Sequence, residues 1–353
     1  MQKLILNPVK PEHWPIPWLA CWHESQKRAA SPLDDGGRAS TWLPPTLRNV
    51  EQGVGIYLAF LQSQGVFDPE KPLVAYVDKA RVRAFLDLYA PGRADSTVAG
   101  ALRGIAYYLR ATVPPDGLPW LTKLAHRLTN SAKPARPKPP RMASVPELIT
   151  LGFRLMEAGL DKLARGQISG AQVYRDGLMI ACLATRPLRL RNLCALRVGH
   201  SFVRAQAGYR VEFSGSQTKK GIAIEFLYPQ WLNEPLDIYL EEVRPMLLSR
   251  ARGDQGDAGW LWIGRRGRPL PSTNVTTTIT NTTKRFLGRG VSPHLFRDCA
   301  TTDIALHDPE HVGITKDVLG HATAASGEKF YNQASSFKAL SEWERVLVGL
   351  MEG

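Results

Sequence analysis

The chain has 353 residues, of which 44% are hydrophobic and 22% are charged, a composition that supports more than one hydrophobic core. Its formal net charge of +13 favours polyanionic partners, although a basic enzyme without such a partner would show the same excess. No stretch reaches the length of a membrane span, and residues 1–8 lack the apolar run of a signal peptide. The four cysteines show no Cys-x-x-Cys spacing, so we expect reduced thiols and a cytoplasmic protein.

Residues 1–43 form a segment that is rich in tryptophan. It predicts a helix over 17–29, on which Trp18 and Trp22 share a face because they lie four residues apart. Such a face is expected to dock on the helices that follow, on a partner subunit or on a nucleic acid. The sequence leaves these three alternatives open. The segment holds four of the nine tryptophans of the chain, namely Trp14, Trp18, Trp22 and Trp42.

Residues 44–130 predict a small helical bundle, because apolar residues recur at helical spacing in four stretches. These stretches are 46–64, 72–90, 96–112 and 118–129. A linker over 131–142 follows, since this segment is rich in proline and has almost nothing to bury. The cations of this linker are Lys133, Arg136, Lys138 and Arg141.

Two basic motifs lie in the middle of the chain. The leucines at 190, 193 and 196 predict the start of an amphipathic helix that presents one arginine, with Arg186, Arg189 and Arg191 all close by. Further on, two runs that alternate as strands do, 209–213 and 222–226, enclose a turn. That turn carries Lys219 and its neighbour Lys220, so the pattern predicts a lysine on a β-hairpin.

Three further motifs follow towards the C-terminus. His294 and Arg297 come directly after a Ser-Pro pair that is typical of a helix start, and their spacing of three places them on one face. A Leu-Gly-His sequence predicts a short helix that ends at its glycine and presents His321 just beyond. Tyr331 lies ten residues further on, and no other tyrosine follows Tyr239.

In their order and local sequence, these motifs make residues 143–335 resemble the catalytic domain of the tyrosine recombinases, the phage integrase family. Its signature comprises an arginine before Glu-Leu, a hairpin lysine, a His-x-x-Arg box, a Leu-Gly-His box and a tyrosine. The resemblance implies a mainly α fold with a small antiparallel β-sheet (α+β). The first box departs from the family pattern, since Asn192 replaces the usual acid and Pro187 falls on the usual glycine. The interval from His321 to Tyr331 is also one residue longer than is common.

The resemblance implies a role for each residue at the site. Arg189 and Arg297 would clamp the scissile phosphate, because each guanidinium is a fixed cation with a planar fork that matches two phosphate oxygens. His321 would donate a further hydrogen bond, and Tyr331 would attack the phosphorus to form a 3′-phosphotyrosine. His294 would take the phenol proton, and Lys219 would protonate the leaving 5′ oxygen. No metal or nucleotide cofactor is expected.

The resemblance also implies partners. The chain would act on double-stranded DNA as a site-specific recombinase of a bacterial mobile element, gripping it between the bundle over 44–130 and the catalytic domain. The linker cations and Lys220 would contact the DNA. Two subunits would bind each site and four would form the synapse, with accessory DNA-bending proteins as further partners and no membrane. The alternatives are a type IB topoisomerase and a catalytically silent DNA-binding regulator.

The segment over 336–353 carries an apolar stripe at helical spacing after Tyr331. We expect a C-terminal helix that packs either on its own domain or, as in relatives that pass such a helix to a neighbour, on another subunit. The stripe consists of Phe337, Leu340, Trp343, Leu347 and Leu350.

Overall fold

The computed structural model divides the chain into two compact units, residues 1–137 and 138–353. The division falls inside the proline-rich segment that the sequence predicts as a linker. Each unit has its own hydrophobic core. The residues that the structure describes are 6–31, 33–65, 67–133, 138–218, 221–251, 257–307 and 342–351.

The first unit is a bundle of five helices. They are α1 (Ile16–Gln26), α2 (Pro44–Ser63), α3 (Lys79–Tyr89), α4 (Asp95–Thr112) and α5 (Pro119–Ser131). Helices α2 and α4 approach closely because glycines face each other; a Cβ on Gly53 would lie 2.6 Å from the carbonyl oxygen of Ala101. The predicted helix over 72–90 is divided, since Asp78 accepts a hydrogen bond from the Arg81 amide (2.8 Å) and caps a new helix.

The tryptophan-rich segment packs within the core of this first unit. The Trp18 indole donates a hydrogen bond to the Lys71 carbonyl (2.7 Å), while Tyr108 donates to the carbonyl of Trp18 (2.7 Å). The Trp22 ring stacks on Tyr108, with ring centroids 5.7 Å apart. Because the indole rings of Trp14, Trp18 and Trp22 are buried and their N–H groups are paired, this segment docks on the helices of its own unit.

The second unit begins with two long, tightly packed helices, α6 (Val145–Ala164) and α7 (Gly170–Thr185). Ser144 and Glu147 form a capping box at the start of α6. A Cβ on Gly177 would lie 2.5 Å from the carbonyl oxygen of Gly152, so glycines again permit the close approach. Nearly every residue of α7 is buried or lines the core, which makes this helix the centre of the unit.

A three-stranded antiparallel sheet follows the short helix α8 (Leu190–Cys194). Its strands lie in chain order, with Phe202 opposite Val211 and Arg210 opposite Leu227. Together with the helices it makes a mainly α fold with a small antiparallel sheet, which confirms the predicted fold class. The strands are β1 (Phe202–Ala205), β2 (Gly208–Phe213) and β3 (Ile224–Leu227).

The remaining elements in the described part of this unit are helical. A continuous helical run over 233–248 comprises α9, one π-helical turn and α10, and it packs against the core through Tyr239 and Leu247. A last helix, α13, covers 342–351. In the part of the chain that the structure describes, no helix has both the length and the hydropathy to cross a membrane. The bounds are α9 (Asn233–Ile238), the π turn (Tyr239–Val243), α10 (Arg244–Leu248), α11 (Ser272–Leu287) and α12 (Leu295–His307).

Candidate active site

Arg189 stands at the point where an extended segment enters helix α8. Its backbone is extended, and its carbonyl oxygen accepts hydrogen bonds from the amides of Asn192 (2.8 Å) and Leu193 (3.0 Å). The residue is therefore the N-cap of α8, as its place ahead of the leucine repeat predicts. Its side chain is half-buried.

Arg297 lies in the first turn of α12 and is buried. Its Nη1 atom donates a hydrogen bond to the carbonyl oxygen of Pro187 (2.7 Å), two residues before Arg189. Burial lowers the pKa of Arg297 to about 10, and the charge of Arg189 acts in the same direction, while Asp298 opposes the shift. The two arginines, far apart in sequence, are thus neighbours that repel each other. Such a pair suits an anion that both guanidiniums can contact.

His294 immediately precedes α12 and is exposed. Its carbonyl oxygen accepts a long hydrogen bond from the amide of Arg297 (3.4 Å), so the His-x-x-Arg box forms a single turn at the start of this helix. The helix begins slightly later than the Ser-Pro pair suggests. An exposed imidazole beside a buried arginine leaves its ring nitrogens accessible to a bound molecule.

The three neighbouring arginines of the first box have different environments. Arg186 is buried and donates to the carbonyl oxygens of Leu227 (3.2 Å) and Thr185 (3.2 Å), so its guanidinium is occupied by the protein. Arg191 is exposed. Arg189 is the one whose charge reaches Arg297. The structure therefore brings Arg189 and Arg297 together and assigns Arg186 to the protein interior.

Asn192, which takes the place of the family's acid, is buried with 3% of its surface exposed. Among the described residues, its Nδ2 has no hydrogen-bond partner. An unpaired donor of this kind costs about 1–3 kcal/mol when it is buried. It stands one helical turn from Arg189, which makes it a polar group at the site that the described part of the protein does not satisfy.

Several predicted site residues lie outside the described part of the chain. The structure describes both flanks of the hairpin between β2 and β3. The Thr218 hydroxyl on one flank donates a hydrogen bond to the carbonyl of Ile222 on the other (2.7 Å). The segment between α12 and α13 is likewise outside. The residues concerned are Lys219, Lys220, His321, Tyr331 and the linker residue Arg136.

The side chains of two described linker cations, Lys138 and Arg141, contact protein groups. The Lys138 ammonium forms an ion pair with Asp298, the neighbour of Arg297 (2.9 Å), and Arg141 donates to the carbonyl of Gly290 (3.4 Å). The backbone amide of Lys133 donates to Asp95 in the first unit (3.1 Å). The end of the predicted linker is therefore anchored to the second unit, next to the start of α12.

Sequence reasoning missed a cationic groove in the first unit. Helices α3 and α5 enclose a groove of about 950 Å³ that holds Trp120 and a single carboxylate, Asp87. The spacing of its cations, four residues apart on each helix, was the available signal, because such pairs share a helical face. These exposed cations are Lys79, Arg83, Lys123 and Arg127.

In sequence, the chain is similar to a known recombinase. No family model matches the chain. Over 164 residues it is 27% identical to the tyrosine recombinase XerD of Chlamydia pneumoniae, a match that covers 46% of this chain. The chain spans about half the length (50%) of this curated relative.

Two solved structures of the XerH site-specific recombinase share the fold. The pre-cleavage complex with its difH substrate has a TM-score of 0.53 at 13% identity, and the match covers 83% of this chain and 76% of that one. The post-cleavage complex with a palindromic difH substrate has a TM-score of 0.52 at 15% identity, with 84% and 79% covered. At these identities the likeness concerns the fold alone.

Proposed function

We propose that the chain is a tyrosine recombinase, a site-specific enzyme that cuts and rejoins double-stranded DNA for a bacterial mobile element. Its sequence similarity to a XerD recombinase and the fold that it shares with XerH support the recombinase class. The observation that carries this proposal is the convergence of Arg189 and Arg297 at the start of α12. Two cations held together against their mutual repulsion bind an anion more strongly than either does alone. A phosphodiester that gains charge in its transition state is such an anion.

In the proposed reaction the two arginines clamp the nonbridging oxygens of the scissile phosphate, and His321 donates a further hydrogen bond. Tyr331 attacks the phosphorus and the 5′ oxygen leaves, which produces a 3′-phosphotyrosine. The exposed ring of His294 accepts the phenol proton, and Lys219 donates the proton that the leaving oxygen needs. A DNA 5′-hydroxyl then attacks the phosphotyrosine and restores the phosphodiester.

We propose that the first unit contributes binding to the DNA backbone. The groove between α3 and α5 carries four exposed cations against one carboxylate, and within the described part of the unit none of the four forms an ion pair. Lysine and arginine at this spacing suit phosphates along one strand. In this proposal residues 44–130 are a DNA-clamp domain and residues 143–335 are the catalytic domain. Lys133, Arg136, Lys138, Arg141 and Lys220 add backbone contacts.

Assembly is part of the same proposal. Two subunits bind each site and four form the synapse, with accessory DNA-bending proteins as further partners. In the structure α13 packs on its own unit, with Trp343 and Leu347 wholly buried. We expect deletion of residues 336–353 to impair synapsis more than binding to a single site. Equal losses of both in a gel-shift assay with one and two sites would contradict this role.

The decisive experiment looks for the covalent intermediate. Duplexes that the protein binds are selected from a random-sequence library, rebuilt with a nick beside the cleavage position, and incubated with wild type and with Tyr331→Phe. We expect a covalent adduct on a denaturing gel with wild type and none with the variant. No adduct with wild type would favour the silent regulator, and an undiminished adduct with Tyr331→Phe would exclude Tyr331 as the nucleophile.

A second readout separates recombination from topoisomerase activity. Unnicked duplexes with two selected sites should give four-way junctions with the recombinase. Relaxation of a supercoiled plasmid by the monomer without junctions would instead identify a type IB topoisomerase. Both readouts use the same protein and the same sites.

A further inference from the structure

Arg186 is a buried arginine that the proposed chemistry does not use. Only 4% of its surface is exposed, although a buried guanidinium is unfavourable unless its donors are paired. It directly precedes Pro187 and lies three residues before Arg189. Burial lowers its pKa to about 10, and Glu344 acts in the opposite direction, so the side chain remains a cation at neutral pH.

Its contacts join three separate parts of the second unit. The Nε atom donates to the carbonyl of Leu227 at the end of β3 (3.2 Å), and Nη1 donates to the carbonyl of Thr185 at the end of α7 (3.2 Å). The Nη2 atom lies 3.8 Å from the carboxylate of Glu344 on α13. A planar fork with several donors satisfies these acceptors together, which a lysine ammonium would not.

Helix α13 reaches the same carbonyl through a second residue. The indole of Trp343, which is wholly buried, donates to the carbonyl oxygen of Thr185 (3.0 Å). That oxygen thus accepts hydrogen bonds from Trp343 and Arg186 at once. The end of α7 is therefore held by Arg186, the next residue along the chain, and by the C-terminal helix α13.

The segment held in this way leads directly to both site arginines. The amide of Leu188 donates to the carbonyl of Arg186 (2.7 Å), which forms a tight turn. The next carbonyl, of Pro187, accepts the hydrogen bond from Arg297 (2.7 Å), and Arg189 follows two residues later. A displacement at Thr185 or Arg186 would therefore move the supports of both guanidiniums.

We propose that Arg186 is a positioning residue that couples the seating of helix α13 to the geometry of the arginine pair, Arg189 and Arg297. The inference rests on the proposed function, because it concerns how well that pair fits the scissile phosphate. With α13 seated, Arg186 holds the turn over 185–189 and the two arginines stand ready for a phosphate. With α13 displaced, Arg186 loses its contact with Glu344 and the Thr185 carbonyl loses its hydrogen bond from Trp343. The arginine pair is then no longer held in place.

The test measures single-turnover cleavage of the nicked duplex at saturating protein, with two kinds of scissile group. One is the ordinary phosphate, and the other is a methylphosphonate, in which a neutral methyl group replaces one charged oxygen. A misplaced arginine clamp matters less for the neutral group, because there is less charge to stabilise. The variants are Arg186→Met, Arg186→Lys, Glu344→Gln and Trp343→Phe, with Arg345→Gln on the exposed side of α13 as the matched control.

On the phosphate we expect Arg186→Met and Arg186→Lys to cleave roughly 10²-fold more slowly than wild type, the loss that a small misplacement near the chemistry causes. Affinity for the duplex should stay within about threefold, since the clamp acts on the transition state. On the methylphosphonate the deficit relative to wild type should shrink to less than about tenfold. Glu344→Gln and Trp343→Phe should show the same pattern with smaller losses, and Arg345→Gln should match wild type.

Three results would overturn the inference. The first is cleavage of the phosphate by Arg186→Met at the wild-type rate. The second is a variant whose rate falls by the same factor on phosphate and on methylphosphonate. The third is a fall in the cleavage rate that is fully explained by lower affinity for the duplex and lower thermal stability. If Arg186→Met does not fold, the milder variants Glu344→Gln and Trp343→Phe decide by the same criteria. Absence of any adduct with wild type refutes the proposed function itself, whereas a wild-type adduct with unaffected variants refutes only the role of Arg186.

Discussion

The two units of this chain differ most in what they bury. Among the described residues, the first unit buries one polar side chain, Ser25, beside a core that is rich in aromatic rings. The second unit buries four arginines and several other polar groups. Its buried polar set is Arg175, Thr185, Arg186, Asn192, Ser201, Arg244, Thr283, Arg297 and Asp303.

This difference separates two ways of using charge. The first unit has exposed cations on α3 and α5. Their attraction to a polyanion acts through water, so salt weakens that attraction. The second unit holds cations in a less polar environment, where they interact more strongly and need carbonyls or carboxylates to compensate their burial. Arg175 and Arg244 show the structural use, paired with Asp176 (2.6 Å) and Asp257 (2.6 Å). Arg297 combines burial with a place at the proposed site.

The largest effect that we expect tests the aromatic core of the first unit. Trp18→Ala removes a ring that is 1% exposed together with its hydrogen bond to Lys71, and should lower the free energy of unfolding of that unit by about 3–5 kcal/mol. Urea unfolding followed by tryptophan fluorescence measures the change. Ile16→Ala, on the same helix but 82% exposed, is the control and should change it by less than about 0.5 kcal/mol. Similar losses for both variants would show that α1 is not part of the core.

The next prediction concerns the buried cation at the site. Arg297→Lys keeps a positive charge but loses the planar fork, so we expect cleavage to fall roughly 10²- to 10³-fold with little loss of affinity. Single-turnover adduct formation on the nicked duplex measures this. Arg191→Lys, which changes an exposed arginine two residues from Arg189, should cleave at the wild-type rate. A large fall in the cleavage rate of Arg191→Lys would favour Arg191, rather than Arg189, as the arginine that contacts the phosphate.

A smaller and different effect is expected on the surface of the first unit. Lys123→Gln combined with Arg127→Gln should weaken DNA binding and reduce the slope of log affinity against log salt by about 0.9 for each phosphate that is no longer neutralised. The cleavage rate at saturating protein should not change, because these residues lie in the other unit. Gel shifts at several salt concentrations give the slope. Lys10→Gln, an exposed residue paired with Glu12, is the control, and an unchanged slope for the double variant would exclude the groove.

The smallest prediction concerns stability in the second unit. Asn192→Leu replaces a buried amide, whose Nδ2 has no partner among the described residues, by an apolar side chain of similar size, so the free energy of unfolding should rise by about 1 kcal/mol. Tm should increase by about 2–4 °C, which differential scanning calorimetry resolves. Asn233→Leu near β2 is a useful comparison, since its Oδ1 also lacks a partner among the described residues but the residue is less buried. A drop in Tm for Asn192→Leu would show that the amide is satisfied in the folded protein.

Local rules account for much of what could be predicted. Helices α2, α4 and α5 lie within about two residues of the stretches predicted from apolar spacing, because that period depends only on neighbours along the chain. The hairpin strands β2 and β3 likewise follow from alternation. The same rules predict one helix over 72–90, whereas α3 begins only after Asp78. Apolar periodicity does not reveal that the Asp78 carboxylate caps a new helix.

The candidate site divides in the same way. The types and order of the candidate residues can be read from the sequence. The preference for Arg189 stays a prediction, which the effect of its charge on Arg297 supports. Neither the carbonyl of Pro187 that holds Arg297 nor the Asp298 partner of Lys138 could be read from the sequence. Both join segments that are far apart along the chain, and no local pattern reports them. In the sequence Arg186 is only an alternative to Arg189, because a buried arginine and an arginine that contacts a phosphate look alike there.

By itself, the sequence determined the family resemblance and the fold class and predicted the reactive groups, because these depend on residue type and on spacing along the chain. Tertiary structure alone decided which arginine is buried as a support and which faces its partner. It also decided that the tryptophans fill a core and that α13 contacts the end of α7. The physical reason is that burial, and with it the strength of a charge or a hydrogen bond, is set by atoms that are distant in sequence and adjacent in space.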